Sequence, residues 1–278
     1  MQIVDALKHA RQQLPASESA QLDSELLLCE VLNCERSYLY AYPEKELSAQ
    51  QSDSYNKLIG LRQQGKPIAH LTKQKEFWSL MFHVNEHTLI PRPETEILVE
   101  TALNYISKDS KNNILDLGTG SGAIAIAIAS ERPLSNITAT DKSKEALEVA
   151  KQNAQTHNIE NINFINAGWF NIENEMSYDV IVSNPPYIND DDPHLSEGDV
   201  KFEPLSALAS GEDGLNDLRI IIQGAKDNLK KQGWLLVEHG YNQAQQVQQL
   251  FNENNFTSVS TIKDYSDNDR VTIGQANE

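Results

Sequence analysis

The segment Asp116–Gly122 reads Asp-Leu-Gly-Thr-Gly-Ser-Gly, and it ends a strand-like run, Asn113–Leu117, and precedes a helical one, Ala123–Ser130. Glycines at this point let the backbone turn sharply and let a ligand approach the main chain closely. In an open α/β sheet, ligands bind at the carboxyl ends of the strands. The segment therefore predicts an α/β fold that carries a ligand-binding loop after its first strand.

Strand-like and helical patterns alternate through the rest of the C-terminal region. The helical patterns include Ala123–Ser130, Lys144–Thr156 and Leu215–Asn228. The predicted strands are Asn113–Leu117, Asn136–Asp141, Ile162–Asn166, Asp179–Ser183, Trp234–Glu238, Ser258–Lys263 and Arg270–Gly274. Such alternation predicts a seven-stranded, mostly parallel sheet with helices on both faces, and the last two strands predict a terminal hairpin.

We divide the chain into three regions. Residues 1–73 predict a small helical bundle, residues 74–93 a β-hairpin linker, and residues 94–278 the sheet domain, which begins with a helix from Glu94 to Ile106. Ser48 and Gln51 form a capping-box pattern at the start of one helix of the bundle. Two apolar stripes at three- and four-residue steps predict buried helix faces, the first of Ile3, Val4, Leu7, Ala10 and Leu14, the second of Leu22, Leu26, Cys29 and Leu32.

Composition limits the possible partners and compartments. The 278 residues include 40 acidic and 23 basic side chains and carry a net charge of −17, which disfavours stable binding to nucleic acid. No apolar run approaches the length of a membrane helix, and residues 1–5 do not resemble a signal peptide. Two cysteines, Cys29 and Cys34, favour a reduced state. We expect a cytoplasmic protein, a monomer, with no membrane partner.

The glycine loop alone does not distinguish a dinucleotide from another adenosine cofactor. Asp141 ends the second strand, 19 residues after Gly122, where a carboxylate can accept hydrogen bonds from ribose hydroxyls. The spacing is Gly-x-Gly-x-Gly rather than the dinucleotide pattern. Asp116 would attract a sulfonium or ammonium group and would repel a pyrophosphate. These two details favour S-adenosylmethionine, with S-adenosylhomocysteine as product.

The motif Asn184-Pro185-Pro186-Tyr187 follows the fourth predicted strand. Two prolines stiffen the loop, because each fixes a φ angle and removes a backbone donor. Asn184 Oδ1 and the Pro185 carbonyl can accept hydrogen bonds from an NH2 group, and Tyr187 can stack on a planar target. Positioning of this kind supplies up to about 7–11 kcal/mol of a barrier. We therefore predict methyl transfer to an amide or amine nitrogen, with Asn184, Pro185 and Tyr187 as catalytic residues.

The chain resembles the methyltransferases that modify the glutamine of the Gly-Gly-Gln motif in peptide chain release factors. Besides Gly118–Gly122, Asp141 and Asn184–Tyr187, the similarity rests on family-like segments at Lys75–Trp78, Leu89–Glu96, Phe202–Pro204, Ala207–Leu208, Gly214–Leu215 and Glu238–Gly240. The resemblance implies a Rossmann-like methyltransferase domain with an N-terminal bundle that docks the protein substrate. It also implies that S-adenosylmethionine contacts Gly118, Thr119, Gly120, Ser121, Gly122, Asp141, Trp169 and Asn184, and that Asn184, Pro185, Pro186 and Tyr187 hold the glutamine.

Several alternatives stay open. Because the Asn-Pro-Pro-Tyr pattern also serves adenine amino-methyltransferases, the chain could act on a flipped base in DNA or RNA. A non-enzymatic module that binds release factors is a third hypothesis. We place Arg92, held between two prolines, at the substrate entrance. Glu238 and His239 lie near the site or form a strand-end hydrogen bond, and the acidic loop at Asp190–Asp192 is not interpreted as a metal site.

Overall fold

The computed structural model describes residues 1–172 and 176–277. The chain divides into two compact units, Met1–Gln74 and Lys75–Glu278. Within the described residues, every helix falls short of the length and apolar character that a membrane span requires.

The first unit consists of short helices packed around one apolar core. Its helices are α1 (Ile3–Gln13), α2 (Ala20–Leu32), α3 (Arg36–Ala41), α4 (Ala49–Gln63) and α5 (Ile68–Thr72). The capping box is confirmed, since Gln51 N donates to Ser48 Oγ at 3.2 Å and Ser48 N donates to Gln51 Oε1 at 2.9 Å. Tyr55 and Ile59 of α4 then face the core together with Leu27 and Leu28 of α2.

The predicted apolar stripe on α2 is confirmed in part, since Cys29 and Leu32 pack against the core. Leu22 of the predicted stripe is 40% exposed, whereas Leu27 and Leu28, outside it, are fully buried. The pattern was incomplete because α2 also buries two carboxylates, which an apolar periodicity cannot reveal. Asp23 accepts a bond of 2.8 Å from Arg62. Glu25 accepts a bond from Arg36, and a buried charge persists only when it is paired in this way.

The second unit contains a hairpin and a large sheet. The hairpin is β1 (Gln74–Phe77) with β2 (Leu80–His83). The sheet strands are β3 (Asn113–Leu117), β4 (Asn136–Asp141), β5 (Ile162–Asn166), β6 (Tyr178–Ser183), β7 (Leu229–Glu238), β8 (Thr257–Lys263) and β9 (Asp269–Gln275). They are ordered β5-β4-β3-β6-β7-β9-β8, and only β9 pairs antiparallel with its neighbours β7 and β8. The predicted seven-stranded, mostly parallel sheet and its terminal hairpin are confirmed.

Helices cover the sheet and connect its strands. They are α6 (Glu96–Leu103), α7 (Ala123–Glu131), α8 (Lys144–Thr156), α9 (Asn216–Asn228) and α10 (Ala244–Glu253). The helix predicted from Glu94 is shorter than expected, because Pro93–Thr95 forms a 3₁₀ turn first. Short 3₁₀ helices also occupy 193–196, 200–202 and 205–207, a segment for which the sequence predicted no element. α10 was not among the predicted helices.

The packing of Gly274 on β9 provides a test of the core. A Cβ atom at Gly274 would lie 2.4 Å from the ring of Phe251, which is fully buried on α10. Since overpacking a well-packed core typically costs 1–3 kcal/mol, we expect Gly274→Ala to lower the free energy of unfolding by about 1–3 kcal/mol. Chemical denaturation followed by circular dichroism measures this change.

Gly60→Ala is the matched control. Gly60 lies inside α4, and a Cβ atom there would meet nothing within 4 Å. The control should therefore stabilise its helix, by about 1 kcal/mol at most. Equal effects of the two substitutions would contradict the packing described for Gly274.

Candidate active site

A cleft of about 990 Å³, counting the solvent in its mouth, opens at the carboxyl ends of β3, β4 and β6. One wall comes from the segment before α6, a second from the loops after β3, β4 and β5, and a third from the loops after β6. The cleft is lined by His87, Thr88, Leu89, Pro91, Arg92, Thr95, Gly118, Thr119, Gly120, Ser121, Ala123, Ile124, Asp141, Lys142, Ser143, Ala146, Ala167, Gly168, Trp169, Asn184, Pro186, Pro204, Ser206 and Ala207. All of them belong to the second unit.

The glycine loop after β3 is held by main-chain bonds to β4. The amides of Gly118 and Thr119 both donate to the Thr140 carbonyl, at 2.9 and 2.8 Å. Gly118 and Gly120 adopt φ angles of 73° and 55°, in the left-handed region that favours glycine. The loop therefore turns back over the sheet and presents its backbone to the cleft.

Asp141 ties the glycine loop to the start of α8. Its Oδ2 accepts from the Gly120 amide at 2.9 Å, and its Oδ1 accepts from the Ser143 amide at 2.8 Å. An ionised carboxylate has about four lone-pair sites, so both oxygens keep capacity for a ligand. Asp141 thus positions the loop and lines the cleft at the same time.

Asp116 lies fully buried at the start of the loop. Its Oδ2 accepts a bond of 2.6 Å from the Thr119 hydroxyl, whereas Oδ1 has no hydrogen-bond partner among the described residues. Burial raises the pKa of this carboxyl to about 7, with a smaller contribution from the negative charge of Asp141. A carboxyl group with an open acceptor next to a cleft suits a cationic ligand.

Trp169 packs its indole against the glycine loop at Gly118. It adopts a φ of 43°, which is rare for a bulky residue, and it follows β5. A Cβ atom on Gly118 would lie 3.3 Å from the Trp169 ring, so the indole covers the backbone of the loop. The cleft therefore has a flat aromatic surface beside the carboxyl end of β4.

The Asn-Pro-Pro-Tyr loop forms the wall after β6. Asn184 Nδ2 donates to Thr95 Oγ1 at 3.1 Å, and the preceding Ser183 hydroxyl donates to the Leu117 carbonyl at 2.7 Å. These two bonds join the loop to the segment before α6 and to the neighbouring strand β3. Asn184 and Pro186 line the cleft.

Three of the residues predicted for the site, Pro185, Tyr187 and Gly122, are not among the described residues that line the cleft. The Tyr187 hydroxyl instead donates to Glu238 Oε1 at 3.3 Å. Gly122 is the N-cap residue of α7 with a φ of 83°, and a Cβ atom there would lie 3.1 Å from Ala150 of α8.

Arg92 lines the cleft and forms an ion pair with a buried carboxylate. Its guanidinium pairs with Glu203, whose side chain is fully buried, and Glu203 also accepts from the Ile90 amide at 2.9 Å. Burial raises the pKa of Glu203, and the positive charge of Arg92 opposes that effect. The pair holds the Pro-Arg-Pro segment against the loop that precedes Pro204.

Two protein-family models match this chain, one for each part of it. A family model described as "Methyltransferase domain" matches residues 108–275, and one described as "PrmC N-terminal domain" matches residues 5–72. The release factor glutamine methyltransferase of Shewanella oneidensis is 48% identical over 274 residues, covering 98% of this chain and 96% of its own. That of Escherichia coli K12 is 45% identical over 269 residues, covering 97% of each chain.

The chain belongs to the release factor glutamine methyltransferase family. The resemblance inferred from the motifs is thereby confirmed, and the chain is a methyltransferase that requires a methyl donor. Among solved structures, a methyltransferase from Pyrococcus furiosus superposes with a TM-score of 0.55 at 19% identity, over 80% of this chain and 99% of that one. This likeness concerns the fold.

The structure places three further residues around the site that were not predicted as site residues, namely Thr95, Glu203 and Asn153. Thr95 and Glu203 lie in two of the segments that resemble the family, Leu89–Glu96 and Phe202–Pro204. Asn153 donates to the carbonyls of Ser121 at 2.9 Å and His83 at 3.0 Å, and so joins the glycine loop to the hairpin. A lone asparagine within the helical pattern of α8 carries no sequence signal for this function, because its partners come from distant segments.

The buried carboxyl of Asp116 predicts a pH-dependent effect on stability. Its pKa in the fold, about 7, is above the ordinary value of 3.8, so between these pH values the folded protein binds more protons than the unfolded chain. Stability contributed by this group therefore falls as pH rises from about 4 through 7. In protein without ligand, we expect Asp116→Asn to have a higher melting temperature than wild type over that pH interval. Each kcal/mol gained in the free energy of unfolding raises the melting temperature by about 2–4 °C.

Asp213→Asn serves as the control for the sign of the effect. Arg219 lowers the pKa of Asp213 by hydrogen bonding, so this carboxylate stabilises the fold once it is ionised. Removing its charge should reduce stability above pH 4 rather than raise it. Differential scanning calorimetry from pH 4 to pH 8 measures both variants, and a stability difference for Asp116→Asn that does not change with pH would contradict the assignment.

Proposed function

We propose that this protein transfers the methyl group of S-adenosylmethionine to the side-chain amide nitrogen of the glutamine in the Gly-Gly-Gln motif of peptide chain release factors. The relatives at 45–48% identity over nearly the whole chain are named for this activity. The observation that carries the proposal is the shared cleft, in which Asn184 of the Asn-Pro-Pro-Tyr loop faces the same space as the glycine loop Gly118–Ser121.

The Asn-Pro-Pro-Tyr loop supplies what a weak nitrogen nucleophile needs. An amide nitrogen holds its lone pair in a π-system, so the reaction depends on orientation. With Nδ2 of Asn184 bonded to Thr95, the side-chain oxygen is the acceptor available to a substrate N–H. We infer that Asn184 Oδ1 and the Pro185 carbonyl accept the two N–H bonds, while Pro186 and Tyr187 contact the planar amide.

The residues of the cleft fit S-adenosylmethionine. When bound, this cofactor supplies an electrophilic methyl group on a positively charged sulfur. Asp141 would accept from the ribose hydroxyls, Trp169 would flank the adenine, and the backbone from Gly118 to Ser121 would contact the remainder. The unpartnered Oδ1 of Asp116 places negative charge beneath the same loop, which suits a cation and disfavours a pyrophosphate. The product of transfer is S-adenosylhomocysteine.

The reaction does not require a strong general base from the protein. As the new N–C bond forms, the C–S bond breaks, and the nitrogen then releases one of its two protons to water. Arg92 is proposed to line the substrate entrance, where its pairing with Glu203 keeps it in place.

We further propose that residues 1–73 dock the release factor, residues 74–93 link the two parts, and residues 94–278 perform catalysis. A separate family model for residues 5–72 and a compact first unit support this division. The net charge of −17 and the names of the relatives disfavour the alternative of an adenine amino-methyltransferase. The protein is proposed to act as a cytoplasmic monomer.

Mass spectrometry tests the substrate directly. We expect a release factor incubated with the protein and S-adenosylmethionine to gain the mass of one methyl group on the glutamine of its Gly-Gly-Gln motif. A release factor with that glutamine changed to alanine is the matched control. Methylation of an adenine-containing oligonucleotide, with none on the release factor, would favour the alternative function.

Asn184→Ala tests the role of the amide side chain. The substitution removes an acceptor of the substrate N–H, so we expect turnover to fall by at least about 100-fold, since loss of one positioned group at a reacting centre has effects of this size. Asn252→Ala, at an exposed position of α10, is the control. Isothermal titration calorimetry should show that Asn184→Ala still binds S-adenosylmethionine, and undiminished turnover would refute the role assigned to Asn184.

A further inference from the structure

Two family-like segments, Gly214–Leu215 and Glu238–Gly240, have no part in the proposed mechanism. Both reach Tyr187, the last residue of the Asn-Pro-Pro-Tyr loop. A Cβ atom at Gly214 would touch its carbonyl, and Glu238 accepts a bond of 3.3 Å from its hydroxyl. Parallel pairing of β6 with β7 explains the second contact, because Ser183 is opposite Val237 and the loops after these strands are neighbours.

Gln243, the N-cap residue of α10, binds the same carbonyl with its side chain. It is 7% exposed, its Nε2 donates to the Tyr187 carbonyl at 2.9 Å, and its Oε1 accepts from the Gly240 amide at 2.8 Å. Although an N-cap side chain commonly binds the first turn of its helix, the Gln243 side chain makes no such bond within the described residues. Both ends of this buried amide therefore join the loop after β7 to Tyr187.

The orientation of the Gln243 amide is fixed by its two partners. A backbone N–H can only donate and a backbone carbonyl can only accept, so Oε1 must face Gly240 and Nε2 must face Tyr187. An ionised carboxylate of the same length could keep the bond to Gly240 but not the bond to Tyr187, because it has no donor. The contact with Tyr187 thus requires the amide that the sequence supplies.

The peptide group between Tyr187 and Ile188 is held at its nitrogen as well as at its oxygen. The amides of Tyr187 and Ile188 both donate to the Leu208 carbonyl, at 3.2 and 2.9 Å. Gly214 has a φ of 72°, and a Cβ atom there would lie 2.3 Å from the Tyr187 oxygen and 3.0 Å from Gln243 Nε2. A larger residue at position 214 would therefore displace the carbonyl that Gln243 binds.

The position of Tyr187 matters because of the two prolines before it. Pro185 and Pro186 have no amide hydrogen, so they offer no backbone donor that could hold the middle of the loop. The loop is anchored at its start by the bond from Asn184 to Thr95 and at its end by the bonds of Tyr187. A shift at Tyr187 would pass through the stiff prolines to the Pro185 carbonyl, the second acceptor in the proposed mechanism.

We propose that Gln243 is a positioning residue that holds the Tyr187 carbonyl, with Gly214 packed against it, and thereby fixes the Asn-Pro-Pro-Tyr loop for methyl transfer. The inference rests on the proposed function for its effect on catalysis, while the contact with Tyr187 is a property of the protein alone.

The kinetic experiment compares wild type with Gln243→Glu and Gln243→Met at pH 8.5, with saturating S-adenosylmethionine and a release factor as substrate. The first variant keeps an acceptor for Gly240 and loses the donor to Tyr187, whereas the second loses both bonds. We expect each to lower kcat roughly 10- to 100-fold, the size expected from misplacing a reacting group. The Michaelis constant for the release factor should stay within about threefold of wild type, because docking of the protein substrate is unaffected.

Gln248→Glu is the matched control for these variants. It makes the same chemical change on α10, and it also removes one amide donor, since Gln248 Nε2 donates to Thr261 Oγ1 at 2.8 Å. Its kcat should equal that of wild type. If Gln243 served only to hold the turn at Gly240, Gln243→Glu would keep wild-type kcat, and this result would overturn the proposal.

Gly214→Ala tests the same carbonyl from a second residue. The clash with the Tyr187 oxygen should lower kcat by a similar factor, although Gln243 is intact. Gly198→Ala is its control, because Gly198 also has a positive φ, of 51°, but a Cβ atom there would meet nothing within 4 Å. Equal kcat values for the two alanine variants would contradict the proposal.

Two further measurements separate positioning from general damage to the fold. The dissociation constant of Gln243→Glu for S-adenosylmethionine, measured by calorimetry, should stay within about twofold of wild type, because Gln243 is not among the described residues that line the cleft. Its melting temperature should be close to that of Gln248→Glu, since each variant loses one hydrogen bond. A loss of kcat accompanied by loss of cofactor binding and a lower melting temperature than Gln248→Glu would overturn the proposal.

Nuclear magnetic resonance tests the contact without catalysis. The Ile188 amide belongs to the same peptide group as the Tyr187 carbonyl, so its 15N shift responds to a hydrogen bond on that oxygen. In protein labelled with 15N at isoleucine, the Ile188 signal, assigned by its loss in Ile188→Val, should move in both Gln243 variants and not in Gln248→Glu. An Ile188 signal that stays in place in the Gln243 variants refutes the proposal. If the signal moves as expected but wild type does not methylate a release factor, the proposed function fails and the positioning of Tyr187 stands.

Discussion

Parallel pairing of β3 with its two neighbours is the constraint on which the site depends. Leu117, the last residue of β3, is opposite Thr140 of β4 and Ser183 of β6. Parallel strands run in one direction, so their carboxyl ends meet at one edge of the sheet. The glycine loop, Asp141 and the Asn-Pro-Pro-Tyr loop are thereby brought to a single cleft, although the sequence separates the first from the last by more than 60 residues.

Buried carboxyl groups set the electrostatics of this edge. Asp116 and Glu238 are both almost fully buried, each has one oxygen without a hydrogen-bond partner among the described residues, and burial raises the pKa of each to about 7. Such groups reduce the stability of the fold at neutral pH. Both contact the walls of the cleft, since Asp116 accepts from Thr119 of the glycine loop and Glu238 accepts from Tyr187 of the Asn-Pro-Pro-Tyr loop.

Polar bonds between distant segments complete the walls of the cleft. Glu203 binds the Pro-Arg-Pro segment more than 100 residues earlier, and Asn153 joins the hairpin to the glycine loop. Thr95 joins the segment before α6 to Asn184. The walls of the cleft therefore form only when the chain is folded. Each of these side chains holds a residue of another segment in position.

The sequence alone determined the sheet, its terminal hairpin and the glycine loop, because strand and helix periodicity and turn residues act over short distances. It also indicated nitrogen methylation, since the Asn-Pro-Pro-Tyr motif is contiguous. It identified the buried face of α2 only in part, because the burial of Asp23 and Glu25 depends on Arg62 and Arg36 elsewhere in the chain. Only the tertiary structure decided that Tyr187 turns toward Glu238 and that Thr95 holds Asn184, because hydrogen bonds between segments 50 to 90 residues apart leave no local pattern.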